Sequence, residues 1–136
     1  MHQTHRDAED IQDDDLLLRR ITPGLHTSLQ PDGKRILTGF AFRERNHECS
    51  MYVAKEVTHE KVLSCGFETQ EIVEVRAGDV RKLGYLIVRE PDDCDDSHVF
   101  AKALAHKSKG QIEKDCKALA ELVNARDAKG ASGNTE

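Results

Sequence analysis

The run from Glu90 to His98 holds the densest chemistry of the sequence. It reads Glu-Pro-Asp-Asp-Cys-Asp-Asp-Ser-His, so five carboxylates, one thiol and one imidazole lie within nine residues. Such a set could bind a cation or place a cysteine nucleophile beside a base. Carboxylates that follow a proline are also typical of a solvated turn. The sequence favours the turn, with Asp95 or Asp96 capping the next segment and His98 packing at its start.

A cysteine nucleophile is the first functional alternative, because Cys94 and His98 are four residues apart. The four aspartates around Cys94 disfavour its thiolate, whereas reactive cysteines lie in electropositive surroundings. The same aspartates lack the spaced Asp-x-Asp-x-Asp-Gly order of a calcium loop. Neither a thiol enzyme nor a calcium site is therefore expected here.

Zinc is the second alternative, because His47, Cys49, Cys94 and His98 form the ligand set of a tetrahedral site. The spacing lacks the paired ligands of a zinc knuckle, and the alternating pattern around Cys49 requires that thiol in the core. The glycines are isolated, so no phosphate loop is present. We predict neither a metal nor a cofactor.

The four cysteines are spread singly along the chain, which argues against a disulfide framework. Cys49 and Cys116 are predicted to face the core, where cysteine behaves as a small hydrophobe.

Two adjacent arginines, Arg19 and Arg20, interrupt an aliphatic segment. An arginine that faces inward must have its charge satisfied, and Glu48, Glu74 or the 90–96 run could supply a partner. One solvated arginine and one ion pair is the simple interpretation, and a bound anion is the functional one. The predicted binding residues are Arg19, Arg20, Asp95 and His98.

An enzyme alternative combines Arg20, Ser50 and an acid from the 90–98 run, with His98 as a further catalytic candidate. The combination is similar to the arginine-serine-glutamate arrangement of ADP-ribosyltransferases, although no sequence motif of that family is intact here.

Periodicity predicts the elements that position these residues. Alternation predicts strands at 35–43 and 49–53. Short apolar segments predict further strands at 16–21, 71–76 and 85–89, with a short helix as the alternative at 16–21. The strands 35–43 and 49–53 are expected to form a hairpin, and 85–89 is expected to be central in the sheet. Short helices are predicted from Thr58 to near Gly66 and at 79–83. Residues 98–104 suit either a strand or a helix, and Ser108 caps an amphipathic helix at 109–125.

The size of 136 residues fits one domain. We predict a disordered acidic arm at 1–14, a folded domain at 15–126 and a disordered tail at 127–136.

Six acids and one arginine within the first fifteen residues account for the net charge of −5. The rest of the chain is therefore close to neutral, and nucleic acid is not favoured as a partner. No apolar run approaches the roughly 20 residues that span a bilayer, and the polar N-terminus is unlike a signal peptide, so a cytoplasmic location is expected.

Several short blocks resemble a group of small bacterial proteins without an assigned activity. They are Leu16 to Ile21 before a proline, Ser50 after an acid, Ala-Gly-Asp-Val-Arg-Lys-Leu-Gly at 77–84, and Glu90-Pro91 followed by His98. The resemblance covers most of residues 16–104. It implies a self-standing bacterial domain, favours a strand after His98, and implies no mechanism.

The predicted fold is a single α+β domain whose mixed or mainly antiparallel sheet is covered by short helices and a C-terminal amphipathic helix. The predicted function is a non-enzymatic protein-binding or accessory module, with a protein partner or a second copy as its ligand. A bacterial defence, toxin or immunity locus is the suggested setting.

Overall fold

The computed structural model describes residues 6–44, 48–66 and 70–133 and confirms the predicted α+β domain. A mainly antiparallel five-stranded sheet is accompanied by a two-stranded sheet and three helices. The strands are β1 (Leu16–Ile21), β2 (Thr27–Leu29), β3 (Arg35–Leu37), β4 (Cys49–Val53), β5 (Glu71–Arg76), β6 (Tyr85–Arg89) and β7 (His98–Ala103). The helices are α1 (His59–Ser64), α2 (Ala77–Lys82) and α3 (Lys109–Gly133), and short 3-10 turns occupy Gly39–Phe42 and Ala54–Glu56.

The five-stranded sheet has the order β5-β1-β4-β7-β6, with antiparallel neighbours throughout. The prediction that β6 is central is therefore wrong, and β4 occupies that position. β6 is apolar for a different reason: the N-terminal segment covers its outer edge. The Ala8 amide donates to the Ile87 carbonyl at 2.8 Å, and the Ile87 amide donates to the Asp7 carboxylate at 2.9 Å.

The predicted strand at 35–43 is shorter than expected and has a different partner. Only Arg35–Leu37 forms a strand, and it pairs with β2, whereas β4 pairs with β1 and β7. The chain then turns beneath α3, where a Cβ on Gly39 would lie 3.1 Å from the backbone nitrogen of Lys117. This close approach buries Phe42. Packing against α3 has thus overridden the alternating pattern.

The main core lies between one face of the sheet and α3. The predicted stripe of Ile112, Cys116, Leu119 and Val123 is buried there, and the predicted burial of Cys49 is also confirmed. Burial raises the pKa of the Cys49 thiol to about 12, as suits a side chain that acts as a hydrophobe.

The sequence predicted the start of α3 correctly but placed its end too early. The Ser108 hydroxyl accepts a hydrogen bond from the Gln111 amide at 3.1 Å, as the predicted cap requires. At the other end the helix continues to Gly133, so residues 127–133 are helical where a disordered tail was expected. Residues 134–136 of that predicted tail lie outside the described part of the chain.

The described part of the predicted acidic arm packs on the domain. Ile11 is only 2% exposed and belongs to the main core. Asp7 and Asp13 pair with Arg81, and Asp10 pairs with Arg89. A single buried isoleucine among aspartates gives no periodic signal, which is why the sequence indicated a disordered arm. Residues 1–5 of that prediction lie outside the described chain.

Candidate functional site

The candidate site lies on the sheet face opposite α3. Side chains alternate along a strand, so Arg20 of β1, Ser50 and Tyr52 of β4, and His98 of β7 all point to this face. The register brings them together, because Tyr52 lies opposite His98. The sequence singled out three of these four residues, and the structure places all four on neighbouring strands.

Ser50 and His98 form the closest polar contact of the site. The Ser50 hydroxyl lies 2.5 Å from Nε2 of His98, and Nδ1 of the same ring lies 2.6 Å from the Glu90 carbonyl oxygen. A carbonyl oxygen only accepts hydrogen bonds, so Nδ1 carries the ring hydrogen. In this tautomer Nε2 is the nitrogen whose lone pair faces the serine hydroxyl. The arrangement is a serine beside a base that a third group orients.

Asp92 and Tyr52 surround this pair. The Tyr52 hydroxyl donates to the Asp92 carboxylate at 2.7 Å, and the same carboxylate oxygen lies 3.8 Å from Nε2 of His98. Burial, together with the hydrogen bond to Asp92, raises the pKa of Tyr52 to about 12, so the phenol stays protonated. The Asp92 carboxylate therefore lies beside both a phenol hydroxyl and the imidazole of His98. Sequence reasoning missed Tyr52, although its position two residues after Ser50 on one strand was a usable signal.

Arg19 is a structural anchor. Its guanidinium donates to the Ala41 carbonyl at 2.8 Å and to the Ser50 carbonyl at 2.9 Å, and it pairs with the Glu44 carboxylate. The partner is thus Glu44 and none of the acids that the sequence suggested. Glu44 also accepts a hydrogen bond from the Ser50 amide at 3.2 Å. These contacts hold the start of β4, and with it Ser50, in place.

Arg20 is bound differently from Arg19. It donates to the Val62 carbonyl at 3.1 Å, and its guanidinium carbon lies 5.6 Å from the centre of the Tyr52 ring. Gly66 permits this position, since a Cβ there would lie 2.8 Å from Cδ of Arg20. No carboxylate of residues 6–44, 48–66 or 70–127 lies within ion-pair distance of this guanidinium.

Arg20 and Ser50 line one cleft with a volume of about 370 Å³. The other residues that line it are Arg19, His26, Glu44, Tyr52 and Gln70. The volume falls within the range of small-ligand sites. The enzyme alternative required these two residues around one concave site with an acid from the 90–98 run. No acid of that run is among the residues that line the cleft; Asp92 only contacts one of them, Tyr52, through a hydrogen bond of 2.7 Å.

The acidic run itself is largely an exposed turn. The Asp95 carboxylate accepts a hydrogen bond from the Ser97 amide at 2.9 Å and so caps the turn before β7. Asp95 was predicted to bind a ligand, but its described contacts serve the turn. His98 is buried at the start of β7, as the turn interpretation requires.

Cys94 forms a disulfide with Cys65, which corrects the expectation that the cysteines are unpaired. The bond joins the end of α1 to the acidic turn, two segments 29 residues apart in sequence. Isolated cysteines with this spacing carry no pairing signal, because only the fold brings them together. Disulfides persist mainly in oxidising compartments, so this bond runs against the predicted cytoplasmic location, which stays a prediction.

The zinc set is divided by the fold. Cys49 lies in the core beneath α3, and Cys94 is bonded to Cys65, while His47 lies outside the described residues. Within the described chain, no three histidines, cysteines or acids are grouped so as to hold a metal ion. Likewise, none of the described helices is long and apolar enough to cross a membrane.

Comparison of the chain with protein-family models, with curated proteins and with solved structures gave no match. The case for a function therefore rests on the cleft.

Proposed function

We propose that the protein binds a small ligand through a singly charged oxyanion, such as a carboxylate, in the cleft between Arg20 and Ser50. The observation that supports the proposal is the state of Arg20. It lies on a partly covered sheet face, and no described carboxylate neutralises it.

Charge and geometry favour one anionic group over several. Arg19 is neutralised by Glu44, so the two arginines that line the described cleft leave one unmatched positive charge. Arg20 uses one donor on the Val62 carbonyl, and a guanidinium has five. Its planar fork can therefore bind both oxygens of a carboxylate.

Sodium acetate is the simplest probe for this site. In an NMR titration we expect saturable shifts of the Ser50 and Tyr52 amide signals. Arg20→Met should weaken binding at least about tenfold, because it removes the one cation of the cleft that no described carboxylate neutralises. Arg35→Met is the matched control, since Arg35 is an exposed arginine on β3, away from the cleft. Equal titration of the Arg20→Met and wild-type proteins would refute the proposal.

A protein-binding function is the second candidate, and one surface favours it. Four large apolar residues are exposed around β2 and β3: Leu25 (65%), Leu29 (66%), Ile36 (38%) and Phe40 (58%). Ile36 and Phe40 also line a groove against α3. Exposed apolar surface of this kind often marks an interaction site. We propose a second copy of the chain as its partner.

Light scattering coupled to size-exclusion chromatography tests this candidate. The wild-type protein should form a dimer as its concentration rises, and the Leu29→Ser/Phe40→Ser variant should remain monomeric because its contact surface is less apolar. Leu122→Ser is the control, since Leu122 is 43% exposed on α3. A wild-type protein that is monomeric at every concentration would rule out the dimer.

The ADP-ribosyltransferase-like alternative also stays a proposal. Arg20 and Ser50 share a cleft as it requires, but the carboxylate in the described cleft is that of Glu44, which is engaged by Arg19. An acid already bound in this way is poorly placed to activate a substrate.

A further inference from the structure

We infer that Ser50 is the nucleophile of an acyl transfer, that His98 is its general base, and that the substrate is a small carboxylic ester. This inference rests on the proposed function, because it requires the same Arg20 to hold a negative oxygen. It goes further in assigning a covalent step to the serine hydroxyl.

His98 is held in the orientation that a general base for Ser50 requires. Nδ1 of His98 is held by the Glu90 carbonyl at 2.6 Å, so Nε2 is directed at the Ser50 hydroxyl 2.5 Å away. A general base must lie within this distance of the proton that it removes. The ring of Tyr52 packs edge-on against the ring of His98, with 5.1 Å between their centres, and restricts its rotation.

The cleft gives a ligand access to Ser50 but not to His98. His98 is buried, with 8% of its surface exposed, whereas Ser50 is half-buried and lines the cleft. A ligand in the cleft therefore meets the serine, while the base behind it is screened from solvent. A purely structural serine-histidine pair has no need of an open cleft on the hydroxyl side.

The cleft can stabilise one negative charge. The tetrahedral intermediate of acyl transfer carries one negative oxygen, and the described cleft has one unmatched cation, Arg20. Phosphoryl transfer spreads its charge over three equatorial oxygens and normally requires several cations or a metal. The cleft therefore suits an acyl group better than a phosphoryl group.

The reaction balances with the ester and water as the only reactants. Oγ of Ser50 bonds to the ester carbonyl carbon, its proton moves to Nε2 of His98, and the carbonyl electron pair forms an oxyanion beside Arg20. As the carbonyl reforms, the bond to the alkoxide breaks and the alkoxide takes the proton from Nε2. Water then attacks the acyl-serine by the same route, releasing the acid and restoring the hydroxyl. Asp92, 3.8 Å from Nε2, stabilises the transient imidazolium.

The probe for this step is 4-nitrophenyl acetate, an activated ester. We expect release of nitrophenol with a burst, and we expect peptide mapping by mass spectrometry to place one acetyl group on Ser50. Ser50→Ala should abolish both signals, and His98→Gln should slow acetylation at least about 100-fold. Ser28→Ala, an exposed serine on β2, is the matched control and should behave like the wild type.

The outcomes separate this inference from the proposed function. If the wild-type protein binds acetate but Ser50 is never acetylated, the acyl transfer is refuted and anion binding stands. If neither binding nor acetylation occurs, both fail. Acetylation of Ser50 at the same rate in His98→Gln would refute the role of the base. Mapping the wild-type protein needs no variant, so the test holds even if His98→Gln fails to fold.

Discussion

Replacing Arg19 with methionine is expected to lower the free energy of unfolding by about 3 kcal/mol. Arg19 is a buried residue, with 9% of its surface exposed. Its guanidinium binds three acceptors: the Ala41 carbonyl, the Glu44 carboxylate and, on β4, the Ser50 carbonyl. Methionine has a similar length but leaves these acceptors, including one charge, without their donor.

The neighbouring residue supplies a matched control. Arg20→Met makes the same chemical change one position along β1, on the opposite face of the sheet. There the described contacts of the arginine are the hydrogen bond to the Val62 carbonyl and the contact with the Tyr52 ring. We expect it to cost about 1 kcal/mol. Urea denaturation followed by circular dichroism measures both. Equal losses from the two variants would show that Arg19 is not the buried anchor described above.

The contrast between the two arginines shows what the sequence could and could not predict. Alternation along β1 places the residues on opposite faces. The pattern therefore indicated that one arginine would form an ion pair and the other would not, as holds among the described residues. The identity of the partner did not, because Glu44 reaches Arg19 only after the 3-10 turn at Gly39–Phe42 has packed beneath α3.

Strand positions were easier to predict than strand pairing. The ranges 16–21, 49–53, 71–76 and 85–89 match the structure because alternating or continuous apolar residues mark them locally. The order of the sheet depends on contacts between distant segments, as when β4 pairs with β7 and leaves β3 to pair with β2. An apolar strand such as β6 looks central in sequence even when its edge is covered by another part of the chain.

The candidate site shows the same limit. Ser50 and His98 each stood out in the sequence, one as part of an enzyme alternative and the other at the end of the acidic run. Their contact depends on the register of β4 with β7, two strands that are more than forty residues apart in the chain. The orienting carbonyl of Glu90 is a backbone group, and so its role has no signature in residue type.

Removing the disulfide with a Cys65→Ala/Cys94→Ala variant is expected to lower the free energy of unfolding by about 3–4 kcal/mol. The bond closes a loop with a sequence separation of 29, and its loss returns that loop entropy to the unfolded chain. Thermal and urea denaturation measure the change. Reductant should shift the wild-type protein to the stability of the variant and leave the variant unchanged; equal midpoints for wild type and variant without reductant would contradict the prediction.

The same bond also bears on the cleft, because each segment that it joins contributes one contact there. The α1 side supplies the Val62 carbonyl to Arg20, and the acidic turn supplies Asp92 to Tyr52. We therefore expect reduction to weaken acetate binding as well as stability. Leu119→Ala provides the comparison, since it destabilises the fold from the main core beneath α3, on the other face of the sheet, and leaves both of those contacts in place. Under native conditions, a loss of acetate binding in the reduced protein that exceeds the loss in Leu119→Ala would show that the disulfide holds the geometry of the cleft beyond its contribution to folding. Equal binding in the reduced and oxidised proteins would contradict the prediction.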